Sequence, residues 1–235
     1  VGFHSGYGVP GNDSYTKILL HFDGVNGDTA FVDSNVGGNA HSWHVLGATL
    51  TTAASKFGNA SLFTSGSPGG IYTPNSSDLN LGSSNFTVDC WWNPAGVSAG
   101  GFQGICGQQR PSASLSQVGL YVYRDNSNKI VASAYSGTGT NILLTSATSV
   151  AANRWYHIAM VRSGSTAYLF IDGVQDAIQT GVTGAINYDS GGAFGVGCTG
   201  LSVPYSSGKY LDEFRLSVGI ARWTSNFTPP DAPYI

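Results

Sequence analysis

The chain has 235 residues, 41% of them apolar, with a formal net charge of −3 and only 10% charged residues. That length can bury a sizeable core as one all-β domain, and the apolar fraction excludes a disordered chain. The acidic balance excludes an electrostatic nucleic-acid footprint, and no apolar run is long enough to cross a bilayer as a helix.

Charge at 10% lies far below the roughly 25% of an ordinary soluble domain. Solubility must come from Ser, Thr, Asn and Gly. Surfaces of that kind suit virion shells and secreted adhesins, so the expected location is a virion or the extracellular space. No signal-peptide pattern is read at the start, where Val1 stands. The cysteines are Cys90, Cys106 and Cys198. An odd number cannot all pair within one chain, which leaves buried thiols or a single bridge such as Cys90 to Cys106.

Residues 1–15 are Gly-rich, contain Pro10 and read as an arm or linker. Ile18, Leu20 and Phe22 then fall on one face at period two, as in a strand, and Asp23-Gly24 closes it. Val25 to Ala54 reads as loop-rich. Lys56 to Phe63 resumes an apolar pattern, and Asn85 to Trp92 is a strong strand stopped by Asn93-Pro94. Leu120–Arg124 and Lys129–Tyr135 form a hairpin about the 125–128 turn. Arg154–Val161 and Tyr168–Ile171 form another, and Asp172-Gly173 starts a tight turn into a short return strand. The Gly-rich run Gly191–Gly197 reads as a closely packed strand, since no helix follows it to cradle a phosphate. Tyr210–Leu216 is the last strand. If regular, it places Tyr210, Asp212, Phe214 and Leu216 on one face and Leu211, Glu213 and Arg215 on the other. Pro229, Pro230 and Pro233 make residues 229–235 an extended tail over the surface.

Six of these blocks, in order, resemble laminin-G-like domains of the concanavalin A-like lectin/glucanase superfamily. They are Ile18–Gly24, Lys56–Leu62, Phe86–Trp91, Arg154–Ala159, Tyr168–Gly173 and Tyr210–Leu216. The resemblance implies an all-β fold, a two-sheet antiparallel jelly-roll sandwich of six or seven strands per sheet, over residues 16–228. The ending Gly219–Thr224 with Asn226–Pro230 is similar to versions of this domain in tailed-phage virion proteins.

The resemblance also implies a structural Ca²⁺ between the opening and closing strands. Asp23 and Asp212 are the matching carboxylates, joined by the chain near Asp33 and Ser34. A carboxylate on an apolar strand face needs a partner, which Ca²⁺ would supply; the alternative is Asp212 at a strand end, solvated or paired with Arg215 or Lys209. Sugar recognition would fall to aromatic rings near the surface: Trp43, Tyr72, Tyr123, Tyr135, Tyr205 and Trp223. Trp91 and Trp155 are assigned to core packing. His41 and His44 have no third ligand in sequence, which favours a hydrogen-bonding role over zinc.

Catalysis is not expected. Glucanases of this superfamily carry a Glu-X-Asp-X-Glu run, which places two carboxyl groups on one strand face. Here Asp212 and Glu213 are adjacent and would face opposite ways. The expected function is therefore a non-catalytic virion structural protein, a capsid decoration or tail-fibre module. Its partners would be other virion proteins or its own copies, and cell-surface glycans, with no nucleic acid and no membrane insertion. The alternative is a secreted bacterial carbohydrate-binding module.

Overall fold

The computed structural model describes residues 8–66, 69–94, 96, 101–109, 119–137, 139–199 and 208–235. The strands are β1 (Thr16–Leu20), β2 (His44–Leu46), β3 (Ala48–Thr51), β4 (Ser61–Thr64), β5 (Gly70–Pro74), β6 (Phe86–Asn93), β7 (Gln103–Gln109), β8 (Leu120–Arg124), β9 (Lys129–Ser136), β10 (Gly139–Ser149), β11 (Tyr156–Ser163), β12 (Thr166–Ile171), β13 (Val174–Thr180), β14 (Ala193–Val196) and β15 (Tyr210–Val218). A 3₁₀ turn, Ser77–Leu79, lies between β5 and β6.

These strands make two antiparallel sheets. The eight-stranded sheet runs β13-β12-β11-β6-β15-β4-β3, with β1 also paired to β15. The seven-stranded sheet runs β10-β9-β8-β7-β14-β5-β2. The first therefore has more strands than the expected six or seven. One core fills the space between them. From β6 it takes Phe86, Val88, Cys90 and Trp92, and from β11 it takes Tyr156, Ile158 and Met160. That alternation follows from the two-residue period of a strand.

The β6 sequence does not alternate in polarity as a half-solvated strand would, because its other face is buried too. The chain after β15 returns across the outer face of the eight-stranded sheet. Trp223 and Phe227 pack there on Ala159, Val161 and Phe170. Gly173 permits the crossing: a Cβ there would stand 2.0 Å from the Phe227 carbonyl oxygen. At the far end Tyr234 is buried, and Val9 bridges it as a parallel neighbour. The amides of Gly11 and Asn12 both donate to the Ile235 carbonyl, at 3.2 and 3.1 Å.

The last strand is not regular. Asp212 pairs with Trp91 but Arg215 pairs with Asp89, so one residue is extra, and Glu213 takes φ +48°. The bulge reverses the expected parity. Leu211, Phe214 and Leu216 face the core, while Asp212 does not share their face. Two short strands, β2 and β3, occupy part of the 25–54 stretch that reads as loop. All three cysteines are buried, and burial pushes the Cys90 thiol well up.

Candidate functional site

Strand register aligns one row of residues straight across the seven-stranded sheet. His44 pairs with Tyr72, Tyr72 with Gly195, Gly195 with Gly107, Gly107 with Tyr121, Tyr121 with Ser133, and Ser133 with Leu143. In β8 the buried Leu120, Val122 and Arg124 alternate with half-buried Tyr121 and Tyr123. The tyrosines therefore stand on the outer face. Tyr121 meets Tyr135 edge-on at 6.5 Å, Tyr123 meets Phe102 at 5.7 Å, and His44 stacks on Tyr72 at 5.0 Å.

Between these flanks the row is glycine. A Cβ at Gly107 would lie 2.2 Å from the Thr199 carbonyl oxygen, so the chain after β14 rests on the middle of the face. The rings are left on its two sides. The row holds no charged residue, so recognition here must use ring faces, hydroxyls and backbone groups.

Three of the six expected sugar-binding aromatics thus share this face: Tyr72, Tyr123 and Tyr135. Trp43 packs against the inter-sheet core instead. Trp223 lies on the opposite sheet, stacked on Phe227 at 4.0 Å. Tyr205 lies outside the described residues. Tyr121 was missed by sequence, although it alternates with Tyr123 in the same strand. Trp91 faces away from the inter-sheet core and lies under the Lys56 ammonium, 3.8 Å from the ring centroid. Trp155 is half-buried, 6.4 Å from Tyr210.

Each expected calcium ligand is engaged by groups of the chain itself. Asp212 accepts three backbone amides, from Lys56 at 2.6 Å, Phe57 at 3.2 Å and Glu213 at 2.9 Å. Burial pushes its carboxyl well up, against the pull of those amides. Asp33 accepts from the amides of Leu19 and Asn35 and pairs with His41. Asp23 accepts the Asn59 amide at 2.7 Å. Asp23 and Ser34 line one small pocket of about 130 Å³, but neither Asp33 nor Asp212 does. Among the described residues no group of three or more His, Cys, Asp or Glu is arranged for a metal ion. Asp212 and Asp23 instead both hold the 56–59 loop, each through its own backbone amides.

His41 and His44 also part company. His41 Nδ1 lies 2.8 Å from Asp33 Oδ2, and its Nε2 lies 3.2 Å from Ser76 Oγ and 3.5 Å from Asp78. The Ser76–His41–Asp33 order is that of a hydrolytic triad, but the protons run the wrong way. The Ser76 hydroxyl donates to Asp78. Burial opposes a charged imidazole, yet Asp33 and Asp78 outweigh it and hold the His41 pKa above its ordinary value. The Ser76 proton points at Asp78 and not at His41, so no serine–base pair is formed. The cluster clamps the 33–41 loop to the 3₁₀ turn.

On the outer face of the eight-stranded sheet a fully buried carboxylate organises a second network. Asp89 accepts Arg215 Nε at 2.9 Å and the Tyr234 hydroxyl at 2.6 Å, with His157 Nε2 at 3.4 Å. Desolvation would raise its pKa, but the Arg215 charge and these neighbours lower it to about 2. Glu213 joins from the bulge, accepting the Tyr234 amide and meeting His21 at 2.6 Å.

Residues 64–218 match a laminin-G-like family of the concanavalin A-like lectin/glucanases superfamily. The chain belongs to that superfamily. This laminin-G-like domain also resembles solved structures at low identity. It aligns with the botulinum neurotoxin serotype G binding domain at TM-score 0.61 and 14% identity, covering 90% of this chain and 48% of that one. The binding domain of Paraclostridial Mosquitocidal Protein 1 gives 0.65 and 14%, covering 88% and 49%. Trypanosoma rangeli sialidase gives 0.59 and 14%, covering 87% and 30%. The laminin-G-like domain thus spans half or less of each of these chains. No curated protein matches it.

Proposed function

We propose that the chain is a non-catalytic recognition module of a virion, a capsid decoration or tail-fibre component. It contacts glycans through the tyrosines of the seven-stranded sheet. The uncharged row of tyrosines flanking Gly107 and Gly195 carries the reading. Rings offer flat apolar faces to sugar C–H groups, and their hydroxyls offer hydrogen bonds at the rim.

The virion context rests on the phage-like ending 219–230 and on the sparse charge. The non-catalytic reading rests on how the carboxylates are used. Asp28 and Asp231 aside, each one accepts a hydrogen bond or ion pair within the chain, among them Asp13 from Arg222, Asp125 from Lys129 and Asp172 from Arg154. Two neighbours of the fold are named binding domains, which agrees in kind. A secreted carbohydrate-binding module is the second reading, favoured by the same tyrosines.

The test is a glycan array with the native chain and with Tyr121→Ala and Tyr135→Ala. Each substitution is expected to weaken the native hits about fivefold or more, the scale of a hot-spot ring. Native binding that neither variant alters would remove the tyrosine face from the reading. Fixed copy number in purified particles would decide for the virion; a free secreted monomer would decide for the alternative.

A further inference from the structure

A second cavity opens on the other sheet, where residues 9–10 meet the 220–234 segment. Its volume is about 470 Å³, within the roughly 300–1,000 Å³ range of small-molecule sites. Trp223, Tyr234 and three prolines give it apolar walls, and Thr228 adds a hydroxyl.

Arg215 lines this pocket while being 1% exposed. Its guanidinium lies 3.6 Å from the Tyr234 ring centroid and 5.5 Å from that of Trp223. Nε donates to Asp89 and Nη1 to the Gly11 carbonyl, but Nη2 has no hydrogen-bond partner. A buried cationic donor left unpaired is costly, so the geometry asks for an acceptor. Arg222 also lines the pocket, with its nitrogens held by Asp13 and Ser217. The lining carries two guanidinium groups against one carboxylate, the exposed Asp231. Asp89 and Asp13, the counter-ions, are not part of it.

We propose that this pocket binds a carboxylated sugar, its carboxylate accepting from Arg215 Nη2 and its ring lying along Trp223. A charged acceptor makes the stronger bond to guanidinium, and the aromatic and proline walls suit the apolar face of a sugar ring. The site is separate from the tyrosine face and does not depend on it.

The full chain is titrated with glucuronate, N-acetylneuraminate, glucose and acetate, followed by tryptophan fluorescence and amide chemical shifts. At least one carboxylated sugar is expected to bind saturably, about tenfold or more tighter than glucose or acetate. Thr228 is exposed, so Thr228→Trp fills the pocket without touching the buried network and abolishes binding. Asp231→Lys removes the rim carboxylate and tightens binding by up to about fivefold. Binding of glucose as tight as the acids overturns carboxylate recognition, and acetate as tight as the sugars overturns the sugar. Binding that neither pocket variant alters overturns the location. No saturable binding of either acid overturns the proposal. Saturable shifts at the amides of residues 220–231 report this pocket and shifts at Tyr121 and Tyr135 report the other face, so the two sites fail or succeed separately.

Discussion

Replacing Tyr234 with Phe removes a single oxygen from a fully buried carboxylate network. Asp89 Oδ2 accepts the Tyr234 hydroxyl at 2.6 Å. Without it, Oδ2 keeps His157 Nε2 at 3.4 Å and Oδ1 keeps Arg215 Nε at 2.9 Å. A hydrogen bond to a buried charge contributes about 1.5–3 kcal/mol. For a chain of this size each kcal/mol moves the melting temperature by about 2–4 °C. The expected loss at pH 7 is therefore about 3–12 °C by calorimetry. Acid adds a second readout. Asp89 has a folded pKa of about 2 against an ordinary 3.8, a gap worth roughly 2 kcal/mol. That stability is fully present above pH 3.8 and is lost as pH falls through about 2. Tyr234→Phe raises the folded value, so acid unfolding begins at a higher pH. A variant that melts with the native protein at pH 7 and unfolds at the same acid pH would refute the reasoning.

His41 gives the opposite pH sign. Its folded pKa is raised despite its burial, by Asp33 and Asp78, so its contribution is full below about pH 6.5 and fades as pH rises through the folded value. His41→Gln should flatten the fall in melting temperature between pH 6 and pH 9; an unchanged slope would assign the fall elsewhere, with His21 beside Glu213 the next group to test. Gly107→Ala forces a Cβ within 2.2 Å of the Thr199 carbonyl oxygen and should cost about 1–3 kcal/mol, measured by urea unfolding. Chelator and added Ca²⁺ should leave the melting temperature unchanged, because Asp23, Asp33 and Asp212 are engaged separately; a calcium-dependent rise would show that they converge on binding.

The strands that carry their own pattern were legible in sequence. Ile18 and Leu20, the β8–β9 hairpin and the Asp172-Gly173 turn (φ +51° and +75°) are all local signals, whereas the strand expected to run on to Phe22 ends at Leu20 and Phe22 reaches the core at φ +59°. The tyrosines of the outer face were half legible. Alternation in β8 marks Tyr121 and Tyr123 as one face, but which rings join them across the sheet depends on strand order. His44, Tyr72 and Tyr135 come from strands far apart in the chain. β2 and β3 carry too few residues to show a period.

What the sequence alone determined is the sandwich and its sparse charge, because hydrophobic period and turn chemistry are properties of neighbouring residues. What only the tertiary structure decided is how the polar groups are used. One extra residue at Glu213 turns Asp212 away from the core and sets Arg215 beside Asp89. The 220–235 segment then covers that face and brings Tyr234 onto both. A bulge and a returning chain leave no periodic trace, yet they decide which carboxylates are buried supports and which guanidinium nitrogen is left without a partner.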